Sequence, residues 1–352
     1  MTPRLAVAVL ATAVAGPAWA ADGPARHLGK PDTWFASAEG RRVADNVLSH
    51  QADEGGWPKN TDTTARPFAG DRKDLKPTFD NAATTDEIRL LARAFAATGD
   101  ARYRRAAERG VEYVLKAQYT NGGWPQFHPP PANTYHRHIT LNDGAMVRLL
   151  QLCREVAQSD RFRFLDEDRR KAAAAAFDKG IDCLLKCQVK VEGKPTVWCA
   201  QHDEKDLRPR PGRTYELASL SGAESVGVVE LLMSLDKPSP EVVRAVEAAV
   251  AWFEAAKLTG IRQTVVDDTK APRGRNKVIV ADPAAPPLWA RFYEIGTNRP
   301  LFADRDGVPK YALADIGYER RNGYAWYGTW PARLLAEGYP AWKKRVAGGV
   351  PR

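Results

Sequence analysis

Apolar positions along the chain fall into two alternating helical series. In the first, Ala44, Val47 and Leu48 lead to Gln51, Ala107, Val111, Val114 and Leu115 lead to Gln118, and Phe177, Ile181, Leu184 and Leu185 lead to Gln188. Val246, Val250, Phe253 and Lys257 repeat the pattern more loosely. Successive copies are offset by 67, 70 and 69 residues, a period expected of stacked supersecondary units. The second series is predicted over 85–97, 142–157 and 221–235. Ile88, Leu91, Ala92 and Phe95 form one apolar stripe there, and Met146, Leu149, Leu150 and Cys153 another. Val229, Leu232 and Met233 mark the third.

The connections between the series are unequal. Those running from the second series back to the first are short, around 98–100 and 237–239. Those running from the first to the second are long: 52–84, 119–141 and 189–220. In antiparallel hairpins all the long connections emerge at one end, and long loops in a compact domain are usually functional. The expected fold is therefore all-α dominated: an α/α toroid, or incomplete α/α barrel of repeated helical hairpins, with long loops and a few short strands. Short strands are expected at 261–266 and 277–280, and one more helix over 286–295. No linker divides the chain, so 21–352 reads as a single domain.

Gly-Gly-Trp-Pro follows the first two glutamines, at Gly55 to Pro58 and Gly122 to Pro125; the third copy keeps only Trp198 and the fourth has lost the motif. Trp57 and Trp124 either stack on sugar faces or plug these turns, and the flanking Gly and Pro favour the plug. The stretch from Thr78 to Ile88 organises the long-loop end. Thr84 and Glu87 fit a capping box opening a helix, as do Ser221 and Glu224. Asp80 and Asn81 then stand on a loop fixed by a packed helix, suited to a metal or a substrate. The other polar signatures at this end are Lys59, the run Tyr135-His136-Arg137-His138, Asn142-Asp143, and 208–216.

Composition adds a compartment and a partner. Arg4, an apolar run from Leu5 to Val14 and Ala18-Trp19-Ala20 form a secretory leader over 1–20, with cleavage expected after Ala20. A secreted or periplasmic protein follows. No later segment approaches the ~20 apolar residues of a membrane span. The net charge of +9 points to an acidic partner, and export disfavours nucleic acid. The four cysteines, Cys153, Cys183, Cys187 and Cys199, allow free thiols or a bridge, and zinc spacing is lacking.

No serine triad order or phosphate loop is present. Asp and Asn oxygens suit calcium, and clustered arginines recognise carboxylates bidentately. Together with export they imply a polyuronate substrate. At this point Gly-Gly-Trp-Pro-Lys, Thr-Phe-Asp-Asn-Ala-Ala-Thr, Gly-Gly-Trp-Pro-Gln-Phe, Arg-Thr-Tyr-Glu-Leu-Ala-Ser-Leu-Ser-Gly and Glu-Arg-Arg-Asn-Gly-Tyr-Ala-Trp-Tyr, in that order between about Ala38 and Tyr327, resemble polysaccharide lyase family 10 pectate lyases. The resemblance implies a partly toroidal α/α fold and calcium-assisted cleavage of polygalacturonate. It makes Asp80 the calcium-binding aspartate, with Asn81 and Asp143 as further ligands, and Arg213 the catalytic base, with Arg210 a competitor. Lys59, Arg137, Asn142, Arg210, Tyr215, Arg305 and Arg321 become substrate-binding candidates, Arg320 competing with the last two.

Arginine normally stays protonated, with a pKa above ~12. The neighbours Arg208 and Arg210 are expected to push Arg213 toward neutrality by crowding of cations. Two other classes compete. A glycoside hydrolase would pair Asp80 with Asp143 at about 5 to 10 Å, and a pectin-binding protein would leave the polymer intact. A monomer acting on an acidic polysaccharide, with no nucleic-acid or membrane partner, is expected.

Overall fold

The computed structural model describes residues 23–348; the leader predicted over 1–20 lies outside them. Its longer helices are α1 (Ala38–Ser49), α2 (Thr85–Thr98), α3 (Ala101–Ala117), α4 (Ala145–Gln158), α5 (Glu167–Cys187), α6 (Glu224–Met233), α7 (Pro240–Ala255) and α8 (Tyr339–Ala347). Helices α1, α3, α5 and α7 pack successively in one row. Helices α2, α4 and α6 form the other, ending against the turn 334–338 that leads into α8. The apolar stripes meet between the rows in one continuous core, from Phe35 through Ile88, Leu150 and Leu184 to Phe253. Ser37, Asp100, Asp166 and Ser239 cap α1, α3, α5 and α7 with side-chain oxygens, each satisfying an otherwise orphaned first-turn N–H.

The repeat is held by recurring side chains. Gln51 donates to the Gly55 carbonyl of its own loop (2.7 Å) and to Ala106 of α3 (2.9 Å). Gln118 does the same to Gly122 and to Ala176 of α5, and Gln188 to Thr196 and to Ala245 of α7. Each glutamine thus ties its own loop to the next hairpin. The indole N–H groups of Trp57, Trp124 and Trp198 return to Val47, Val114 and Leu184 of the preceding helix. Trp289 returns to Phe253 in the same manner, so the fourth repeat keeps the tryptophan without its motif. These rings are buried: they plug the turns and reach no substrate. Gly55 (φ +110°) and Gly122 (φ +93°) need glycine, because a Cβ would sit 2.6 Å from the Arg109 carbonyl and 2.1 Å from that of Lys179.

The expected all-α toroid is not what the chain forms. Among the described residues helices are joined by strands that assemble into five small antiparallel sheets. The sheets lie in the long connections and in the last third, where the helical period stops after Lys257. The strands Ile261–Asp267 and Arg275–Ala281 pair as a hairpin. The helix expected over 286–295 is absent: Trp289–Ala290 pairs with Tyr327–Gly328, and Phe292–Tyr293 with Leu220–Ser221. Pairing with distant strands, which buries Trp289, Phe292 and Tyr293, overrides the helical reading there. Tyr215, Phe292, Phe302 and Trp326 make a second, smaller core.

One capping box also differs. Thr84 (φ 72°) accepts from the Trp57 N–H at 2.9 Å and donates to the Thr78 carbonyl, while Glu87 turns inward and accepts from the Thr63 hydroxyl. Ser225 accepts from Trp198 N–H in the same way, so the buried turn claims the hydroxyl ahead of the helix start. Ser221 does accept from the Glu224 N–H. All four cysteines are free and buried. No helix of the described residues is long and apolar enough to cross a membrane.

Candidate active site

Two turns of the same build enter the site. Thr78 and Thr140 donate their N–H groups to the Trp57 and Trp124 carbonyls. Two residues on, Asp80 and Asn142 are both buried, and the next residues, Asn81 (φ 52°) and Asp143 (φ 51°), are left-handed. Asn and Asp tolerate that conformation better than other side-chain-bearing residues, which fits the alternation of these two residue types. The turns pack against each other just before α2 and α4.

Their carboxylates fare differently. Asp80 is 4% exposed and pairs through Oδ2 with Lys59, while its buried Oδ1 has no partner. Asp143 lies at the surface. Its Oδ1 receives Arg291 at 3.1 Å and its Oδ2 receives the Asn142 amide at 2.7 Å. Arg291, unremarked in the sequence, is largely buried, its side chain 12% exposed, and also pairs with Glu224. Burial works against its charge, but Glu224, Tyr324 and Asp143 outweigh this and raise its pKa.

Arg213 stands on the loop after Pro209–Arg210, over the smaller core. Its guanidinium lies 5.0 Å from the Tyr215 ring centroid and 5.8 Å from that of Tyr324. It pairs with buried Glu216, which also accepts from the Tyr324 hydroxyl at 2.8 Å. The expected crowding by cations is not found. Arg210 pairs with Asp203 and Arg208 faces Asp206. Burial alone would lower the Arg213 pKa; the Glu216 hydrogen bond and charge, with Tyr324 and Tyr215, raise it instead. Tyr135 lies within electrostatic reach of both this loop and the first turn. Its pKa is raised chiefly by burial, and the charges of Arg213, Glu216 and Asp80 all act on it.

The remaining candidates divide. Tyr215 is buried, with Arg320 stacked 4.5 Å from its ring centroid. Arg305 and Arg320 share Glu319. Arg321 instead donates to the Ala314 carbonyl, so Arg320 is the arginine nearer Arg213. Arg137 and Arg210 are held by Glu204 and Asp203. With His138, these two acids place three donor atoms within 4.8 Å of one another. That group could hold a metal ion, but both its carboxylates already carry an arginine. For calcium, the Asp80 turn fits better: a buried oxygen without a partner, with hard amide and carboxylate oxygens beside it. Asp143 fits less well because both its oxygens are engaged.

Arg291 and Tyr324 carry no signal in spacing, since their partners are distant in sequence. Arg291 lies 148 residues from Asp143, and Tyr324 lies 108 from Glu216.

Residues 51–335 match the family described as pectic acid lyase. The fold is similar to that of a family 10 polysaccharide lyase from Cellvibrio cellulosa, with a TM-score of 0.76 at 35% identity over 90% of this chain and 95% of that one. A mutant of that lyase in complex with trigalacturonic acid is similar with a TM-score of 0.76 at 34% identity, over 90% of this chain and 96% of that one. No curated protein matches.

Proposed function

The chain belongs to the pectic acid lyase family, and on that premise we propose that the Asp80, Lys59 and Arg213 cluster cleaves polygalacturonate by calcium-assisted β-elimination. As a member it is a pectate lyase, a polysaccharide lyase. The acidic substrate is supported by the trigalacturonic acid bound to the structural relative. The observation that carries the reading is the buried Asp80 oxygen without a partner, set beside Lys59, with Tyr135 within electrostatic reach of both Asp80 and Arg213.

Asp80 and Asn81 would hold the calcium ion. When bound, it would neutralise the uronate carboxylate and so favour loss of the adjacent C5 proton. Lys59 adds a positive charge on the same side, and Arg320 and Tyr215 orient the neighbouring sugar. Arg213, parted from Glu216 and in its neutral guanidine form, accepts the C5 proton and becomes the guanidinium. The C5–H electron pair becomes the C4–C5 double bond, the C4–O4 bond breaks, and the departing O4 takes its proton from water. Arg213 is partly exposed and can swing toward substrate, whereas Glu216 is fixed by Tyr324. Export, suggested by the apolar leader, places the enzyme with extracellular or periplasmic polymer.

The test is ultraviolet absorbance with polygalacturonate. Unsaturated product should appear with calcium and vanish with a chelator. New reducing ends without absorbance would sink the reading.

A further inference from the structure

Beside the Asp80 turn lies a cavity of about 650 Å³, within the range of small-molecule sites. Its walls come from the loop 58–62, the starts of α2, α4 and α6, Arg291 and Trp330. Most charges facing it are already balanced. Asp62 pairs with Arg26, Asp86 with Arg89, Lys59 with Asp80, and Asp143 and Glu224 with Arg291.

Two lining groups are not. Arg148 makes no ion pair with any described carboxylate, and its Nε reaches only the Asp143 carbonyl, at 3.5 Å. This contrasts with Arg137, Arg210, Arg213, Arg291, Arg305 and Arg320, each held by an acid. Arg148 also stands within the first turns of α4, which carry no acidic residue. A cation there opposes the helix dipole, so local helix stability does not account for it. The second group is Glu87, 3% exposed, whose buried Oε2 has no partner.

We propose that this cavity is a uronate subsite in which Arg148 binds the carboxylate of a galacturonate residue other than the one that loses its C5 proton and Glu87 binds one of its hydroxyls. A guanidinium without an ion-pair partner can offer a carboxylate two parallel N–H donors. Burial, and then the Asp86 charge, push the Glu87 carboxyl up to about 8. At neutral pH it therefore holds its proton, does not repel a uronate, and has an O–H to donate. The subsite rests on the polyuronate-lyase reading, but the two fail separately: an enzyme inactive on polygalacturonate would sink that reading, whereas the subsite stands or falls on a ratio of rates.

The experiment measures kcat and KM for Arg148→Ala, Arg148→Lys and wild type on oligogalacturonates of increasing length. Arg148→Ala should raise KM on the longer oligomers by about tenfold or more, the loss of a charged hydrogen bond, and leave KM on the shortest cleaved oligomer and kcat unchanged. Arg148→Lys should restore part of the loss. Methyl-esterified oligomers then remove the carboxylate from the substrate side. The ester at the residue that Arg148 binds should weaken wild type by a similar factor and make no difference to Arg148→Ala. A KM unchanged at all lengths, a KM rise equal at every length, or ester and mutation penalties that simply multiply would each overturn the subsite.

Discussion

The turns at Thr78–Asn81 and Thr140–Asp143 share a backbone and exchange their chemistry. In each, a threonine hangs on a buried tryptophan carbonyl and a left-handed residue follows a buried one. The order is Asp-Asn in the first and Asn-Asp in the second. This puts one carboxylate inside, with an uncommitted oxygen, and the other at the surface, gripped by Arg291. The difference teaches that repetition supplies position, while the cation beside each acid decides what the acid is free to do. Lys59 leaves Asp80 one open oxygen, and Arg291 with Asn142 leaves Asp143 none without a contact.

The sharpest way to break this comparison is to remove each acid in turn. Asp80→Ala should reduce kcat/KM by about 10³-fold, the scale of losing a main electrostatic contributor at the transition state. Far-ultraviolet circular dichroism and the melting temperature should stay near wild type, because Lys59 can turn to water. Asp143→Ala should lower activity by only about tenfold. Equal losses at the two positions would show that the grip of Arg291 does not matter.

The next largest effect concerns Arg291 itself. Arg291→Met should destabilise the fold by about 3 to 5 kcal/mol, as when a buried ion pair loses one partner and leaves the other charge stranded. Here the stranded group is Glu224. Denaturant unfolding measures this, and adding Glu224→Gln should recover most of the loss. An Arg291→Met protein of normal stability would mean that Glu224 is satisfied elsewhere.

The smallest effect is expected from Glu216→Gln. Glu216 helps raise the Arg213 pKa, so removing its charge should lower that pKa and make the neutral base available at lower pH. The rise of kcat with pH should shift downward by roughly one pH unit, equivalent to about 1.4 kcal/mol. A uniform fall in kcat with no shift would make Glu216 a support for the loop and Arg213 a binding residue.

Local signals make the helical rows legible, because apolar spacing repeats within a few residues, and they mark the two strands at 261–266 and 277–280 without their pairing. The caps Ser37, Asp100, Asp166 and Ser239 are not singled out, and the box read at Thr84 is overridden by the buried turn. The fold as a whole is not legible, since one more helix is expected over 286–295, where Trp289, Phe292 and Tyr293 are buried by strand pairing across the chain. The motifs brought Asp80, Lys59, Arg213 and Tyr215 forward together. They could not reveal that Tyr324 would anchor the Glu216 that holds Arg213, or that Arg321 would turn to a carbonyl while Arg320 faced Tyr215. Those outcomes depend on Tyr324 and Glu319, placed by the smaller core rather than by the repeat.

The glutamine ties set a direction in time. Gln51, Gln118 and Gln188 each close on a carbonyl 55 to 58 residues further on. A chain emerging amino end first therefore cannot fasten a loop until the following hairpin has been synthesised. Each loop, with the acids it carries, is completed one repeat in arrears, and assembly advances in step with elongation. The fourth position is Lys257, which makes no such tie and instead pairs with Glu254. The series ends there, and the strands that follow close the carboxyl end.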